Sequence, residues 1–251
     1  MGPVASTFDE TMSQPLPSTD REIDLNRAFE IKICGVKSVA DALAAVEAGA
    51  DAVGLNFYPS SPRYVDAARA LAIATAVGPR ALKIGVFVDR PLAEVRELME
   101  GCRLDAAQLH GDEPPEYLAE LATGNVRSAG IIRAFRPVGS MAPVEQYLEA
   151  CDALGCLPWM TLVDAAAPGE FGGSGRVADW SAVAARSGML ARLPLILAGG
   201  LSPENVGQAI CVARPAVVDV ASGVEASPGQ KSPERMHAFV AAARKAFSEP
   251  N

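Results

Sequence analysis

Two reactive side chains end apolar runs of the sequence, the thiol of Cys34 and the carboxyl of Asp164. An ionised thiol acts as a base or nucleophile, and a carboxyl whose pKa is raised by burial acts as an acid. Gly35 follows the thiol and lets the backbone turn and a ligand approach. Cysteine also fills space in protein cores, and a carboxylate can cap the next loop, so both structural alternatives stay open.

Two glycine-containing turns come late in the chain, at residues 198–201 and 221–224. Their candidate phosphate-binding residues are Gly199, Gly200, Ser222 and Gly223. Backbone amides of such turns, together with a helix N-terminus, hold phosphate groups in many enzymes. Glycine also serves ordinary turns, which is the alternative at each position.

Four further polar residues are candidates for substrate binding: Arg63, Gln108, His110 and Asp219. The guanidinium fork of Arg63 suits a carboxylate or a phosphate. A neutral histidine is equally able to serve as a structural donor and acceptor, so His110 has both interpretations. The chain has only His110 and His237 and neither an H-E-x-x-H nor a C-x-x-C pattern, so we expect no metal in the reaction.

The elements that must position these residues follow a regular alternation from residue 29 onward. Apolar runs of strand length predict eight strands, at residues 29–35, 52–58, 82–88, 106–110, 130–135, 159–164, 194–200 and 216–222. Segments of helical period lie between them and predict helices at residues 38–48, 66–77, 92–101, 114–122, 203–213 and 233–247. Three serines are expected N-caps: Ser38, Ser202 and Ser232.

Apolar strands separated by helices indicate a parallel sheet that is buried on both faces. Eight such units predict an α/β protein with a (β/α)8 TIM barrel, a single domain over residues 29–251, whose strand ends carry the chemistry. An open doubly wound sheet usually has fewer strands. The G-x-G-x-x-A match at residues 173–178 lies nine residues beyond Asp164 and lacks the acidic residue of a dinucleotide site.

Composition excludes several classes of protein. The 251 residues carry 22 Lys+Arg and 30 Asp+Glu, a formal charge of −8, which argues against nucleic acid as a partner. Five scattered cysteines and no export signal favour reduced thiols in a cytoplasmic protein. No apolar run reaches the length of a membrane span, and residues 1–28 are interpreted as a flexible extension.

Six short motifs together resemble the phosphoribosylanthranilate isomerase family over residues 29 to about 247. They are Lys32-Ile33-Cys34-Gly35, Ser61-Pro62-Arg63-Tyr64, Gln108-Leu109-His110-Gly111, residues 172–175 with Asp179-Trp180, residues 198–201 and residues 219–225. The resemblance implies a cofactor-free isomerase of tryptophan biosynthesis that performs an Amadori rearrangement of a phosphorylated small molecule.

The resemblance also implies a role for particular residues. Cys34 would be the general base and Asp164 the general acid, while Arg63 would hold the anthranilate carboxylate. Asp219 would position sugar hydroxyls, and the glycine turns would bind the phosphate. Ala221 stands where the family commonly has a serine, which predicts weaker phosphate binding if that hydroxyl is a ligand.

Two other functions stay open at this point. One is a different phosphosugar isomerase or epimerase, because one barrel supports many chemistries. The other is a non-catalytic protein that binds a phosphorylated ligand. The sequence leaves monomer and homodimer equally possible.

Overall fold

The computed structural model describes residues 29–123, 130–164 and 180–249. The predicted extension, residues 1–28, lies outside the described residues. So do the glycine-rich motif at 172–175, Asp179 and the G-x-G-x-x-A match at 173–178.

Within the described residues, eight parallel strands close into one barrel, as predicted. The strands are β1 (Ile31–Cys34), β2 (Ala52–Asn56), β3 (Leu82–Phe87), β4 (Ala106–Leu109), β5 (Gly130–Phe135), β6 (Met160–Val163), β7 (Leu195–Leu197) and β8 (Val217–Val220). Each pairs with its neighbours in chain order, and β1 pairs with β8 to close the ring. The (β/α)8 prediction is therefore confirmed.

Helices follow the barrel strands and form its outer layer. They are α1 (Val39–Glu47), α2 (Ala67–Val77), α3 (Leu92–Gly101), α4 (Pro115–Leu121), α5 (Ala142–Ala153), α6 (Trp180–Ala184), α7 (Val206–Ala213) and α8 (Pro233–Ser248). None of the described helices is long and apolar enough to cross a membrane.

The core has two layers because successive strand side chains point to opposite faces. One apolar cluster fills the barrel interior and includes Ala52, Ile84, Ile132, Leu162 and Ile196. A larger cluster lies between the strands and the helices. The polar side chains of interest occupy inward positions of the strands, above the interior cluster.

Two of the three predicted serine caps are confirmed. The hydroxyl of Ser38 accepts from Asp41 N at 3.0 Å, and that of Ser232 accepts from Arg235 N at 3.2 Å. The third was wrong, because Ser202 begins a turn and α7 starts only after Asn205. Ser202 N donates to Asn205 Oδ1 at 2.8 Å, which satisfies the turn before the helix begins.

The connection after β8 contains structure that the sequence did not predict. A short 3-10 helix, Ser222–Val224, leads into an antiparallel hairpin formed by β9 (Glu225–Ser227) and β10 (Gln230–Lys231). This hairpin brings Glu225 and Lys231 toward the carboxyl end of the barrel.

Candidate active site

A cavity of about 700 Å³, its open mouth included, lies at the carboxyl ends of the strands. Nine of the ten predicted site residues line it: Cys34, Arg63, Gln108, His110, Asp164, Gly199, Gly200, Asp219 and Ser222. The tenth, Gly223, does not line it. A concave site at this face of the barrel is where enzymes of this fold place their chemistry.

Cys34 is the last residue of β1 and lies half-buried at the cavity wall. Two glycines make room around it. A Cβ atom on Gly54 would lie 2.6 Å from Cys34 Sγ, and one on Gly35 would lie 2.3 Å from Arg63 Cδ. Gly35 also has a φ of +73°, which turns the chain directly after the thiol.

Charges of both signs surround the thiol. Burial raises the pKa of Cys34 above its usual value, and Asp219 raises it further, while Lys32 and Lys231 lower it. The thiol is therefore largely protonated at neutral pH in the unliganded protein, with two ammonium groups nearby that favour its thiolate.

Lys32 is a site residue that the sequence reasoning missed. Its side chain is fully buried, and its ammonium donates to Asp219 Oδ2 at 2.8 Å and to Gln108 Oε1 at 2.9 Å. Burial alone lowers the pKa of Lys32, but Asp219 and Cys34 more than offset this effect and raise it. The signal was present, because a lysine two residues before Cys34 in an apolar strand must share the inward face of the thiol.

Asp164 directly follows β6, and only 7% of its surface is exposed. His110 Nε2 lies 3.4 Å from Asp164 Oδ2. On its other side, His110 Nδ1 lies 2.8 Å from Gln108 Nε2. The predicted acid and the predicted binding residues thus form one buried group across the barrel.

Arg63 lies on the loop after β2 and is already engaged by a carboxylate of the protein. Its Nε donates to Glu225 Oε1 at 2.7 Å, and its Nη2 donates to Glu225 Oε2 at 2.8 Å. Lys231 Nζ donates to Glu225 Oε1 at 3.0 Å and to Ala221 O at 2.8 Å. Glu225 holds the guanidinium at the cavity, and no described residue accepts from its Nη1.

Glu225 and Lys231 were also missed as functional residues, although Glu225 stands in a motif of the sequence. Burial raises the pKa of Glu225, but its bonds to Arg63 and the charge of Lys231 outweigh this and lower it. The Glu225 carboxyl is therefore ionised, and its bonds to Arg63 hold the hairpin after β8 against the loop after β2.

The glycine turns after β7 and β8 meet at the cavity. Gly199 and Gly200 have φ values of +90° and +65°, a backbone shape that suits glycine. A Cβ atom on Gly223 would lie 1.9 Å from Leu201 O, so the two turns pack backbone to backbone there. The amides of Ser222 and Gly223 begin the 3-10 helix and have no acceptor within it.

A closed eight-stranded parallel barrel with a thiol and a carboxyl at one cavity, on the carboxyl ends of its strands, has the architecture of the (β/α)8-barrel enzymes.

The model of the N-(5'-phosphoribosyl)anthranilate isomerase family matches residues 31–242, and the chain belongs to this family. It is 44% identical over 219 residues to the isomerase of Myxococcus xanthus, covering 86% of this chain and 97% of the relative. It is 45% identical over 214 residues to that of Acidithiobacillus ferrooxidans, covering 85% and 97%.

Solved structures give the same result. The phosphoribosyl anthranilate isomerase of Thermotoga maritima has a TM-score of 0.74 at 36% identity, covering 86% of this chain and 99% of that one. Another structure, at 34% identity and a TM-score of 0.72, contains reduced 1-(o-carboxyphenylamino)-1-deoxyribulose 5-phosphate. The function is isomerisation of N-(5'-phosphoribosyl)anthranilate in tryptophan biosynthesis.

Proposed function

We propose that this isomerisation proceeds by acid–base catalysis with Asp164 as general acid and Cys34 as general base. The observation that carries the proposal is that both groups face one cavity from inward positions, Cys34 at the end of β1 and Asp164 directly after β6. Substrate that fills the cavity then lies between an acid and a base, as a proton transfer at two different atoms requires.

In the first step, Asp164 gives its proton to the ring oxygen of the ribose. The bond between that oxygen and C1 breaks, and the nitrogen lone pair forms a C1=N iminium. In the second step, the Cys34 thiolate removes the proton at C2. The electron pair of that C–H bond forms the C1=C2 bond of an enolamine, and the π pair of the iminium returns to the nitrogen. The enolamine then tautomerises: C1 gains a proton, the C2 hydroxyl loses one, and the C2 carbonyl of the ketone forms.

The remaining site residues orient the substrate. Asp219 lines the cavity, and its buried Oδ1 has no hydrogen-bond partner among the residues that the structure describes, so it suits a sugar hydroxyl. Arg63 offers Nη1 to the anthranilate carboxylate, and Gln108 and His110 line the wall between Lys32 and Asp164.

The phosphate is held by the two glycine turns, through Gly199, Gly200, Ser222 and Gly223. Free backbone amides at a helix start favour an anion. Ala221 lines the cavity and has no hydroxyl, so the backbone amides carry this binding.

The experiment follows the loss of substrate fluorescence with purified protein, without added metal or nucleotide. Asp164→Asn and Cys34→Ala are each expected to slow turnover at least about 100-fold, the low end for a lost acid or base. The matched controls Asp152→Asn and Cys211→Ser change exposed residues outside the cavity. Turnover near wild type in either site variant removes that residue from the mechanism.

The wider assignment has three parts. Residues 29–251 carry the activity, and residues 1–28 are dispensable for it. The protein works in the cytoplasm, in accord with the free thiols of the described cysteines. It acts as a monomer or a homodimer, and sedimentation of the purified chain at two concentrations distinguishes these.

A further inference from the structure

Five side chains form a continuous polar chain through the barrel, from Asp219 through Lys32, Gln108 and His110 to Asp164. The successive distances are 2.8, 2.9, 2.8 and 3.4 Å. All five residues are less than 9% exposed, so water does not set the direction of these bonds.

The chemistry of lysine fixes that direction. An ammonium group only donates, so the atom of Gln108 facing Lys32 must be the carbonyl oxygen. The amide nitrogen of Gln108 then faces His110 and donates to Nδ1. A neutral His110 must therefore carry its proton on Nε2, the nitrogen that faces Asp164.

His110 Nε2 is buried and has no hydrogen-bond partner of ordinary geometry among the described residues. This nitrogen lies 3.4 Å from Asp164 Oδ2, and His110 lines the cavity. This donor is available to the carboxylate that forms when Asp164 has given up its proton, or to an oxygen of the substrate.

Lys32 also lies beside the other catalytic group. Lys32 and Cys34 are two residues apart on β1 and share its inward face. The charged groups around the thiol are Lys32, Lys231, Asp219 and Arg63. The side chains of Lys32 and Lys231 are both fully buried, and Lys32 is the one that shares strand β1 with the thiol.

We propose that Lys32 is a positioning residue for both catalytic groups: it sets the tautomer of His110 through Gln108 and stabilises the thiolate of Cys34. The inference rests on the proposed roles of Cys34 and Asp164, but its two readouts below need no turnover. Its failure and the failure of the mechanism are therefore distinguishable.

The first readout is the protonation of His110, measured by ¹⁵N NMR of the imidazole. The exposed His237 is replaced by glutamine so that one histidine remains. In the His237→Gln protein, Nε2 is expected to carry the ring proton, because Nδ1 accepts from Gln108. Gln108→Glu replaces the donating amide by an acceptor of the same shape, so the proton is expected on Nδ1. A proton on Nδ1 in the His237→Gln protein, or an unchanged spectrum in Gln108→Glu, overturns the proposal.

The second readout is the rate of Cys34 alkylation by iodoacetamide against pH, in a Cys211→Ser background that removes the exposed thiol. Lys32→Met is expected to slow alkylation at pH 8 at least about tenfold, a change of one pKa unit. Asp219→Asn removes the opposite charge and is expected to speed it. Circular dichroism establishes that each variant is folded.

The alkylation rate is expected to fall in Lys32→Met and to rise in Asp219→Asn. These opposite changes distinguish an electrostatic effect from structural damage, which would lower the rate in both variants. Slower alkylation in both variants, or no change in Lys32→Met, contradicts a role for the Lys32 charge. If Lys32→Met does not fold, the position of the His110 proton in the His237→Gln protein and in Gln108→Glu still decides the tautomer half of the proposal, because neither spectrum requires a change at Lys32.

Discussion

Glu225→Gln perturbs a carboxylate that connects two loops of the site. The Glu225 side chain is 3% exposed and accepts from Arg63 Nε, Arg63 Nη2, Lys231 Nζ and Gly229 N. Glutamine keeps one acceptor oxygen but turns an NH₂ group toward a cation. Removing one partner of a buried ion pair lowers the free energy of unfolding by about 3–5 kcal/mol. Because glutamine keeps one acceptor oxygen, we expect a loss of about 3 kcal/mol for this variant.

The stability that Glu225→Gln loses is expected to be smaller at low pH than at neutral pH. After the opposing effect of burial, Arg63 and Lys231 hold the pKa of Glu225 below its usual value. A depressed folded-state pKa gives stability that is fully present above the unfolded pKa, about 4.3, and is lost as pH falls through the folded pKa. The difference in unfolding free energy between wild type and Glu225→Gln is therefore largest at pH 7 and becomes smaller below about pH 4.

Urea unfolding followed by circular dichroism at pH 7 and at pH 3.5 to 4 measures both effects. The control is Glu204→Gln, because Glu204 is exposed and lies 3.5 Å from Arg235, so it is expected to leave the midpoint unchanged. A urea midpoint for Glu225→Gln that matches the control at pH 7 would show that the Glu225 carboxylate does not stabilise the fold. A stability difference from wild type that is the same at both pH values would contradict the lowered pKa of Glu225.

Three further outcomes are expected. Arg63→Lys cannot reproduce the two-point contact with Glu225, so KM should rise about tenfold or more with a smaller change in kcat, measured by steady-state kinetics. Gly223→Ala would push against Leu201 O and part the two glycine turns, weakening inhibition by inorganic phosphate, whereas Gly207→Ala, with open space at its Cβ, should not. Deleting residues 1–28 should leave kcat and KM unchanged, and a loss of activity would show that the extension serves the site.

The barrel could be predicted because local and global signals agree along most of the chain. Apolar runs of strand length marked all eight strands, and Cys34 and Asp164 were singled out because each ends one of these runs. The predicted start of α7 was wrong because a serine followed by a proline can open a turn as well as a helix. Asn205, not Ser202, precedes the helix. The hairpin that contains Glu225 and Lys231 was not predicted, because its strands are too short to show a periodic pattern of apolar residues.

Site residues that end a strand could be predicted from the sequence. Contacts between a site residue and a partner from a distant part of the chain could not. Lys32 was overlooked although its spacing of two residues from Cys34 places it on the same face of β1, and although its partners Asp219 and Gln108 were both identified. The contact of Arg63 with Glu225 spans 162 positions and depends on how two loops meet. Only the closed barrel brings such residues together.

The most direct test of the central claim separates binding from chemistry in Cys34→Ala. Affinity for reduced 1-(o-carboxyphenylamino)-1-deoxyribulose 5-phosphate, the compound bound in a solved relative, is measured by calorimetry beside single-turnover decay of substrate fluorescence. Cys34→Ala is expected to bind the compound as tightly as wild type and to turn over substrate at least about 100-fold more slowly. Turnover close to wild type in a variant that binds the compound normally would contradict the assignment of Cys34 as the base.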